Sequence, residues 1–86
     1  MTRTFKAGDI VRHFKGNLYQ ILHLAVHSET DEILVIYQAL YGEYIISARP
    51  YEMFIEKTDK AKYPEATQEY RFEKVGSTTD AIKRFM

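Results

Sequence analysis

The chain has 86 residues, which is enough for one domain with one modest core and too short for a cofactor-binding domain joined to a catalytic one. Aromatic residues make up 14% of it, with seven Tyr and five Phe, and this content favours a small domain built from strands. The formal net charge is zero and cysteine is absent, so neither a strongly basic duplex-binding face nor a disulfide framework nor a thiolate metal site is expected.

The sequence also indicates where the protein acts. No apolar run reaches the roughly 18 residues of a membrane-spanning helix, so no membrane partner is expected. Residues 1 to 6 lack the apolar segment of a signal peptide, and the absence of cysteine is compatible with a reducing compartment. We therefore expect a cytoplasmic location.

The first third of the chain predicts a lead-in and a hairpin. Residues 1 to 8 are expected to form a flexible lead-in. A first strand is predicted from Asp9 to Phe14 and a second from Leu18 to about His27. The turn between them contains Gly16 and Asn17, which tolerate positive φ.

The middle third carries the most strand-like stretch, from Glu32 to Gly42. It is rich in β-branched and aromatic residues, and both of its faces are mostly apolar, which predicts a long central strand. Gly42 turns the chain into a further strand from Tyr44 to Arg49. Pro50 has no N–H to donate and is expected to end that strand.

The last third is less regular. Residues 50 to 54 predict one helical turn, and a short strand is predicted from Phe54 to Lys57. A polar loop from Thr58 to Glu69 leads to a last strand from Tyr70 to Val75. Ser77 at an N-cap position, with an acidic residue three positions later, predicts a short C-terminal helix.

Five to six short antiparallel strands in meander order, with one helical turn before the last barrel strand, are typical of an SH3-like barrel. We therefore expect a mainly β fold with the barrel core at residues 9–57. Residues 58–86 are expected to supply the polar loop, the last strand and the short helix of the same single domain.

Four blocks of the sequence have the order and spacing of a known family. They are Arg12 to Tyr19, His27 to Thr30, Tyr37 to Gly42 and Arg49 to Phe54. In these blocks the chain resembles the uncharacterised bacterial family DUF1653. The resemblance implies a compact domain, usually standing alone, and it implies no assigned reaction. Family members commonly carry a tryptophan where this chain has Ser47, so no aromatic platform is implied at that position.

The histidines do not predict a metal centre. His23 and His27 are four residues apart, and on a strand this spacing separates them by about 13 Å. A site formed by His27, Glu29 and His13 is the remaining alternative. We expect His27 to make a hydrogen bond within a turn instead, and we predict no metal and no cofactor.

The loop after the second strand brings a base, a hydroxyl and an acid together in sequence, at His27, Ser28 and Glu29. A catalytic triad needs converging side chains and an oxyanion hole, whereas adjacent residues usually point apart. Ser28, Thr30 and Asp31 are also good turn formers. We therefore assign no catalytic residue.

Arg49 ends a mostly apolar strand, so its guanidinium must reach solvent or a carboxylate. Our first expectation is a structural ion pair with one of three acids, Glu29, Glu43 or Glu52. The functional alternative is that Arg49, together with Arg12 and His13, recognises an anion in a groove walled by three tyrosines, Tyr19, Tyr37 and Tyr41.

No closed pocket and no recognisable nucleophile are evident in the sequence. We therefore expect a noncatalytic binding module that recognises single-stranded RNA, a nucleotide or another anionic ligand. Its candidate ligand-binding residues are Arg12, His13, Tyr19, His27, Ser28, Glu29, Thr30, Tyr37, Tyr41 and Arg49. Two alternatives stay open. One is an interaction domain that pairs with a protein partner through a strand edge, and the other is a small enzyme built on His27, Glu29 and Arg49.

Overall fold

The computed structural model describes residues 4–77, and these residues form one antiparallel sheet and one short helix. The strands are β1 (Asp9–His13), β2 (Leu18–Val26), β3 (Ile33–Ala39), β4 (Ile46–Pro50) and β5 (Phe72–Ser77). The helix, α1 (Tyr51–Phe54), lies between β4 and β5 in sequence. Within residues 4–77, no helix is long and apolar enough to cross a membrane.

The sheet has the strand order β4-β3-β2-β1-β5. The predicted mainly β antiparallel fold with a short helical turn is therefore confirmed. In the described part of the chain the sheet is open, with β4 and β5 at its two edges, so the predicted barrel closure is not observed. The C-terminal helix predicted after Ser77 lies outside the described residues.

The β1–β2 hairpin forms where the sequence predicts it. Gly16 has φ +104°, a conformation that favours glycine, and the backbone N–H of His13 donates to the carbonyl of Asn17 at 2.9 Å. Several other boundaries differ from the prediction: β3 covers only Ile33–Ala39 of the predicted Glu32 to Gly42, and β5 covers Phe72–Ser77 instead of Tyr70 to Val75. β4 begins at Ile46 because Tyr44 has φ +56° in a turn closed onto Tyr41. The strand predicted at residues 54–57 is wrong, since Phe54 ends α1 and Lys57 makes a single bridge with Tyr70.

The core lies on one side of the sheet and is dominated by two phenylalanine rings. Phe54 and Phe72 stack in parallel, with ring centroids 4.1 Å apart and planes 4° apart. Other buried apolar side chains complete this cluster, and they are Phe5, Val11, Ile21, Val35 and Tyr37.

Phe5 belongs to this core although the sequence placed it in a flexible lead-in. Its ring meets Phe54 edge to face at 5.3 Å, and the backbone N–H of nearby Gly8 donates to the carbonyl of Ile21 at 2.7 Å. The expectation overlooked Phe5 because its immediate neighbours are polar or small. Residues 4–8 are therefore attached to the sheet.

Candidate anion-binding site

A polar cleft of about 310 Å³ opens where the β1–β2 hairpin, β4 and the loop before β5 meet. We call it the cationic cleft, because four of its side chains are cationic and one is acidic. It is lined by His13, Phe14 and Tyr63, the cations Lys15, Arg49, Lys62 and Arg71, and the acid Asp59. The chain as a whole has zero net charge, so this surface concentrates positive charge locally.

Arg49 reaches the cleft from the core-facing side of β4. It pairs across the sheet with Val35, which is buried, and its Nε donates a hydrogen bond to the Tyr37 hydroxyl at 3.4 Å. Among residues 4–77, no carboxylate oxygen lies within 4.0 Å of the guanidinium. The expected ion pair with Glu29, Glu43 or Glu52 is therefore wrong, because a tyrosine hydroxyl takes that position.

His13 lies beside these cations, half-buried against two aromatic rings. Its ring centroid is 4.3 Å from that of Phe14 and 4.9 Å from that of Phe72. Burial, and after it the charges of Lys15, Arg49 and Arg71, lower the pKa of His13 from 6.5 to about 4. Its Nδ1 accepts the Lys15 backbone N–H at 3.1 Å, so we assign the proton of the neutral ring to Nε2.

The lowered pKa of His13 makes stability depend on pH. Between about pH 4 and pH 6.5 the unfolded chain holds a proton on His13 that the folded chain lacks, so the free energy of unfolding rises with pH in this window. The contribution is fully present above pH 6.5 and is lost as the pH falls to about 4. Urea unfolding at both ends of the window should show a smaller loss in His13→Gln than in the unsubstituted protein. Equal losses would contradict the burial of a neutral imidazole.

The loop from residue 59 to residue 71 is held over the hairpin by its own polar side chains. Asp59 Oδ1 accepts the backbone N–H groups of Ala61 and Lys62, at 3.1 and 3.2 Å. Gln68 Nε2 donates to the Arg12 carbonyl at 2.8 Å and the Tyr70 carbonyl at 2.9 Å. These bonds place Lys62 opposite the hairpin and tie the only acid of the cleft lining to the backbone.

Arg71 completes the cleft from the residue before β5. One of its terminal nitrogens lies 3.4 Å from Glu56 Oε2, so this cation is partly neutralised at the rim. Its Nε is buried and has no hydrogen-bond partner in the described part of the chain. Lys15, Arg49 and Lys62 are therefore the cations of the lining that form no ion pair within residues 4–77.

Three tyrosines form a second depression, of about 240 Å³, which we call the tyrosine hollow. Tyr19, Tyr37 and Tyr41 line it together with Ala39, Gly42, Glu43, Ile45 and Ser47. The hydroxyl oxygens of Tyr19 and Tyr41 are 2.6 Å apart and share a hydrogen bond. Burial, and after it the hydrogen bond to Tyr41, raise the pKa of Tyr19 to about 12. The three tyrosines that the sequence predicts as the walls of one groove therefore lie together in the structure.

A third depression, the loop hollow, has a volume of about 450 Å³ and adjoins the cleft. It is lined by Phe14, Lys62, Tyr63, Pro64, Glu65 and Ala66. The Phe14 and Tyr63 rings pack with centroids 4.8 Å apart and planes inclined at 53°. The Lys15 and Lys62 ammonium groups lie 5.2 and 5.5 Å from the Tyr63 centroid, within the range of cation–π attraction.

All the residues that line the cleft and both hollows fall between positions 13 and 71. The sequence matches the family described as a protein of unknown function, DUF1653, over residues 9–74. The chain belongs to the DUF1653 family. A crystal structure of a DUF1653 protein from Bordetella bronchiseptica is similar to this one, with a TM-score of 0.70 and 36% identity over 86% of this chain and 91% of that chain. No curated protein matches the sequence.

Not every residue predicted for the site of this DUF1653 chain lies at the cleft. Arg12 is exposed and lies between Val11 and His13, which point to the core side, so its side chain lies on the opposite face of β1. It lines none of the three depressions. Its backbone carbonyl, which accepts from Gln68, is the part of Arg12 that supports the site.

The residues from His27 to Thr30 form a local turn away from the cleft. His27 Nδ1 accepts the Glu29 backbone N–H at 3.1 Å, as the sequence predicts, and Thr30 Oγ1 accepts the backbone N–H of Glu32 at 3.3 Å. Val35 pairs with both Leu24 and Arg49, whereas His27 lies three residues beyond Leu24, about 10 Å along the strand. Ser28 and Glu29 share this exposed turn. No group of three metal-ligating side chains converges anywhere in residues 4–77.

Sequence reasoning found only His13 and Arg49 among the residues that line the cleft in this DUF1653 chain. Lys15, Lys62, Tyr63 and Arg71 were not among the candidates, although all four line the cleft. Lys15 follows His13 in the hairpin turn, and this proximity was a usable signal. The other three residues belong to a loop whose position depends on contacts with β1, which is distant from the loop in sequence. No local sequence pattern predicts that they line the cleft.

Proposed function

We propose that this DUF1653 chain is a noncatalytic binding module whose cationic cleft takes the phosphate group of a nucleotide, of single-stranded RNA or of a related anionic ligand. One observation carries the proposal: four cationic side chains from three separate segments, the β1–β2 hairpin, β4 and the loop before β5, meet at one cleft of a chain with zero net charge. Such a module is expected in the cytoplasm.

The chemistry of the cleft suits a phosphate oxygen. Arg49 offers guanidinium N–H groups with no carboxylate partner among residues 4–77, and the exposed Lys15 adds an ammonium. Neutral His13 adds an Nε2 donor that needs no proton uptake at pH 7. Charge-assisted hydrogen bonds to phosphate are about twice as strong as neutral ones.

The order of the strands, with α1 between β4 and β5, also supports the finer inference of an SH3-like barrel. Core side chains from β1, β2, β3 and β5 meet on one side of the sheet, as the curling of a small barrel requires. In that arrangement the cleft would lie at one open end of the barrel. His13 at the end of β1 and Arg49 near the end of β4 would face this end. Loops at a rim are common places for binding residues.

A second candidate function uses the exposed edge of β4. Ile46 is 57% exposed on this strand, and β4 has a partner on one side only in the described sheet. A protein segment could add to this edge as a further strand. Binding by this route would be insensitive to substitutions in the cleft. The catalytic alternative receives no such support, because the His27 ring accepts the Glu29 backbone N–H in a turn apart from Arg49.

The test compares pyrophosphate binding by Arg49→Met and Arg12→Met, followed through the His13 imidazole resonances. Arg49→Met removes one charge-assisted contact and is expected to weaken binding about tenfold or more. Arg12→Met removes the same charge from the opposite face and should change affinity less than about twofold. Bound pyrophosphate should also raise the pKa of His13, because a nearby anion favours the imidazolium.

Amide spectra establish that both variants keep the fold. Equal affinities of the two variants, or a His13 pKa that pyrophosphate leaves unchanged, would contradict phosphate binding in the cleft. Loss of the folded spectrum in Arg49→Met would assign Arg49 a structural role, and Lys15→Met would then carry the comparison.

A further inference from the structure

The cationic cleft adjoins both aromatic hollows, through different residues. Phe14, Lys62 and Tyr63 line the cleft and the loop hollow together. Arg49 of the cleft donates to Tyr37 of the tyrosine hollow, and the ring centroids of His13 and Tyr19 are 6.3 Å apart. The loop hollow is therefore continuous with the cleft and the tyrosine hollow lies next to it, so a cationic site neighbours two aromatic sites on one surface.

We propose that this surface binds single-stranded nucleic acid, with one backbone phosphate in the cationic cleft and the base on each side of it in one hollow. This rests on the phosphate binding proposed above and adds the identity of the ligand. The required occupant has an anionic centre with a planar ring attached on either side. A phosphodiester between two nucleosides has this composition.

The accessible aromatic rings favour this occupant. Tyr41 is 42% exposed at the tyrosine hollow, and Tyr63 is partly exposed at the loop hollow. Stacking of bases on such rings, with a few cations along the backbone, suffices for single-strand binding without a basic protein. A duplex conceals the faces of its bases, and a chain of zero net charge lacks the broad basic surface that duplex binding uses.

The test is a series of three ligands that carry the same single phosphodiester charge. Dimethyl phosphate has no base, the methyl ester of adenosine 5′-monophosphate has one, and the dinucleotide ApA has two. Each added base is expected to tighten binding about tenfold. The deoxy form of ApA distinguishes RNA from DNA as the source of the ligand, because only RNA offers a 2′-hydroxyl.

Two substitutions test which hollow gives each tenfold gain in affinity along the ligand series. Tyr63→Leu and Tyr41→Leu keep apolar bulk but remove the flat ring, so each should abolish one of the two tenfold steps. Tyr44→Asn is the matched control, because Tyr44 is exposed and outside both linings and its φ of +56° is tolerated by asparagine. The control should keep both steps.

Several results would overturn the inference. If ApA binds no tighter than dimethyl phosphate while pyrophosphate still binds through Arg49, the phosphate proposal stands and the nucleic-acid proposal fails. If pyrophosphate does not bind either, both fail. A series that depends on only one of the two tyrosines overturns the two-base arrangement. Tighter binding of a phosphotyrosyl peptide than of ApA would make the partner a protein.

Discussion

Phe54→Ala is expected to lower the free energy of unfolding by about 3–5 kcal/mol. Phe54 is fully buried, although it comes from a helix of one turn. Its ring stacks on Phe72 and meets Phe5 and Tyr37 edge to face, at 5.3 and 5.4 Å. Alanine would leave a cavity at the centre of these contacts, which a rigid sheet cannot close. Urea unfolding followed by circular dichroism measures the loss.

Met53→Ala is the matched control for Phe54. Met53 occupies the neighbouring position of the same helical turn but is 44% exposed, so its truncation should cost less than about 1 kcal/mol. Similar losses for the two variants would show that α1 as a whole, and not the Phe54 ring, holds the core together.

The second large effect is expected at Asp9, which is 1% exposed at the start of β1. Its Oδ2 accepts the Lys6 backbone N–H at 2.9 Å, and its own N–H donates to the Lys6 carbonyl at 3.1 Å. This turn brings Phe5 into the core. Asp9→Ala leaves the Lys6 donor without its acceptor, so we expect a loss of about 1–3 kcal/mol in unfolding free energy.

Lys74→Met separates the turn from the ion pair at Asp9. Lys74 Nζ lies 3.2 Å from Asp9 Oδ1, but Oδ1 has no partner with hydrogen-bond geometry in the described residues, so the contact is ionic. Because the Lys74 side chain is 43% exposed, solvent can replace part of its charge, so its removal should cost less than Asp9→Ala does. A Lys74→Met loss as large as that of Asp9→Ala would mean that the ion pair, and not the turn, stabilises this end of β1.

Local chemistry explains which parts of the fold the sequence predicts. The hairpin at Gly16 depends on a backbone conformation that few residues other than glycine adopt readily, so it is visible in the sequence. The helical turn after Pro50 and the convergence of Tyr19, Tyr37 and Tyr41 are likewise consistent with strand alternation and turn chemistry. Each of these features is determined by residues close together in the sequence or by the pairing of two strands in one hairpin.

The remaining parts depend on contacts between distant segments. The Gln68 side chain reaches the Arg12 carbonyl across 56 residues, and this bond helps place Lys62 and Tyr63 at the cleft. Phe5 enters the core only because Asp9 turns the chain toward it. Arg49 was expected to pair with a carboxylate, but its guanidinium donates to the Tyr37 hydroxyl instead. Neither the composition nor the periodicity of the sequence predicts which distant residues make these contacts.

A two-dimensional amide NMR titration of the labelled protein with pyrophosphate tests phosphate binding in the cleft most directly. We expect shifts that cluster on the residues around the cleft, at Lys15, Arg49, Lys62 and Arg71, and that weaken as salt is raised. The turn from His27 to Thr30 should not respond. Shifts confined to that turn or to the β4 edge, or no shifts at low salt, would contradict the assignment of the cationic cleft as a binding site.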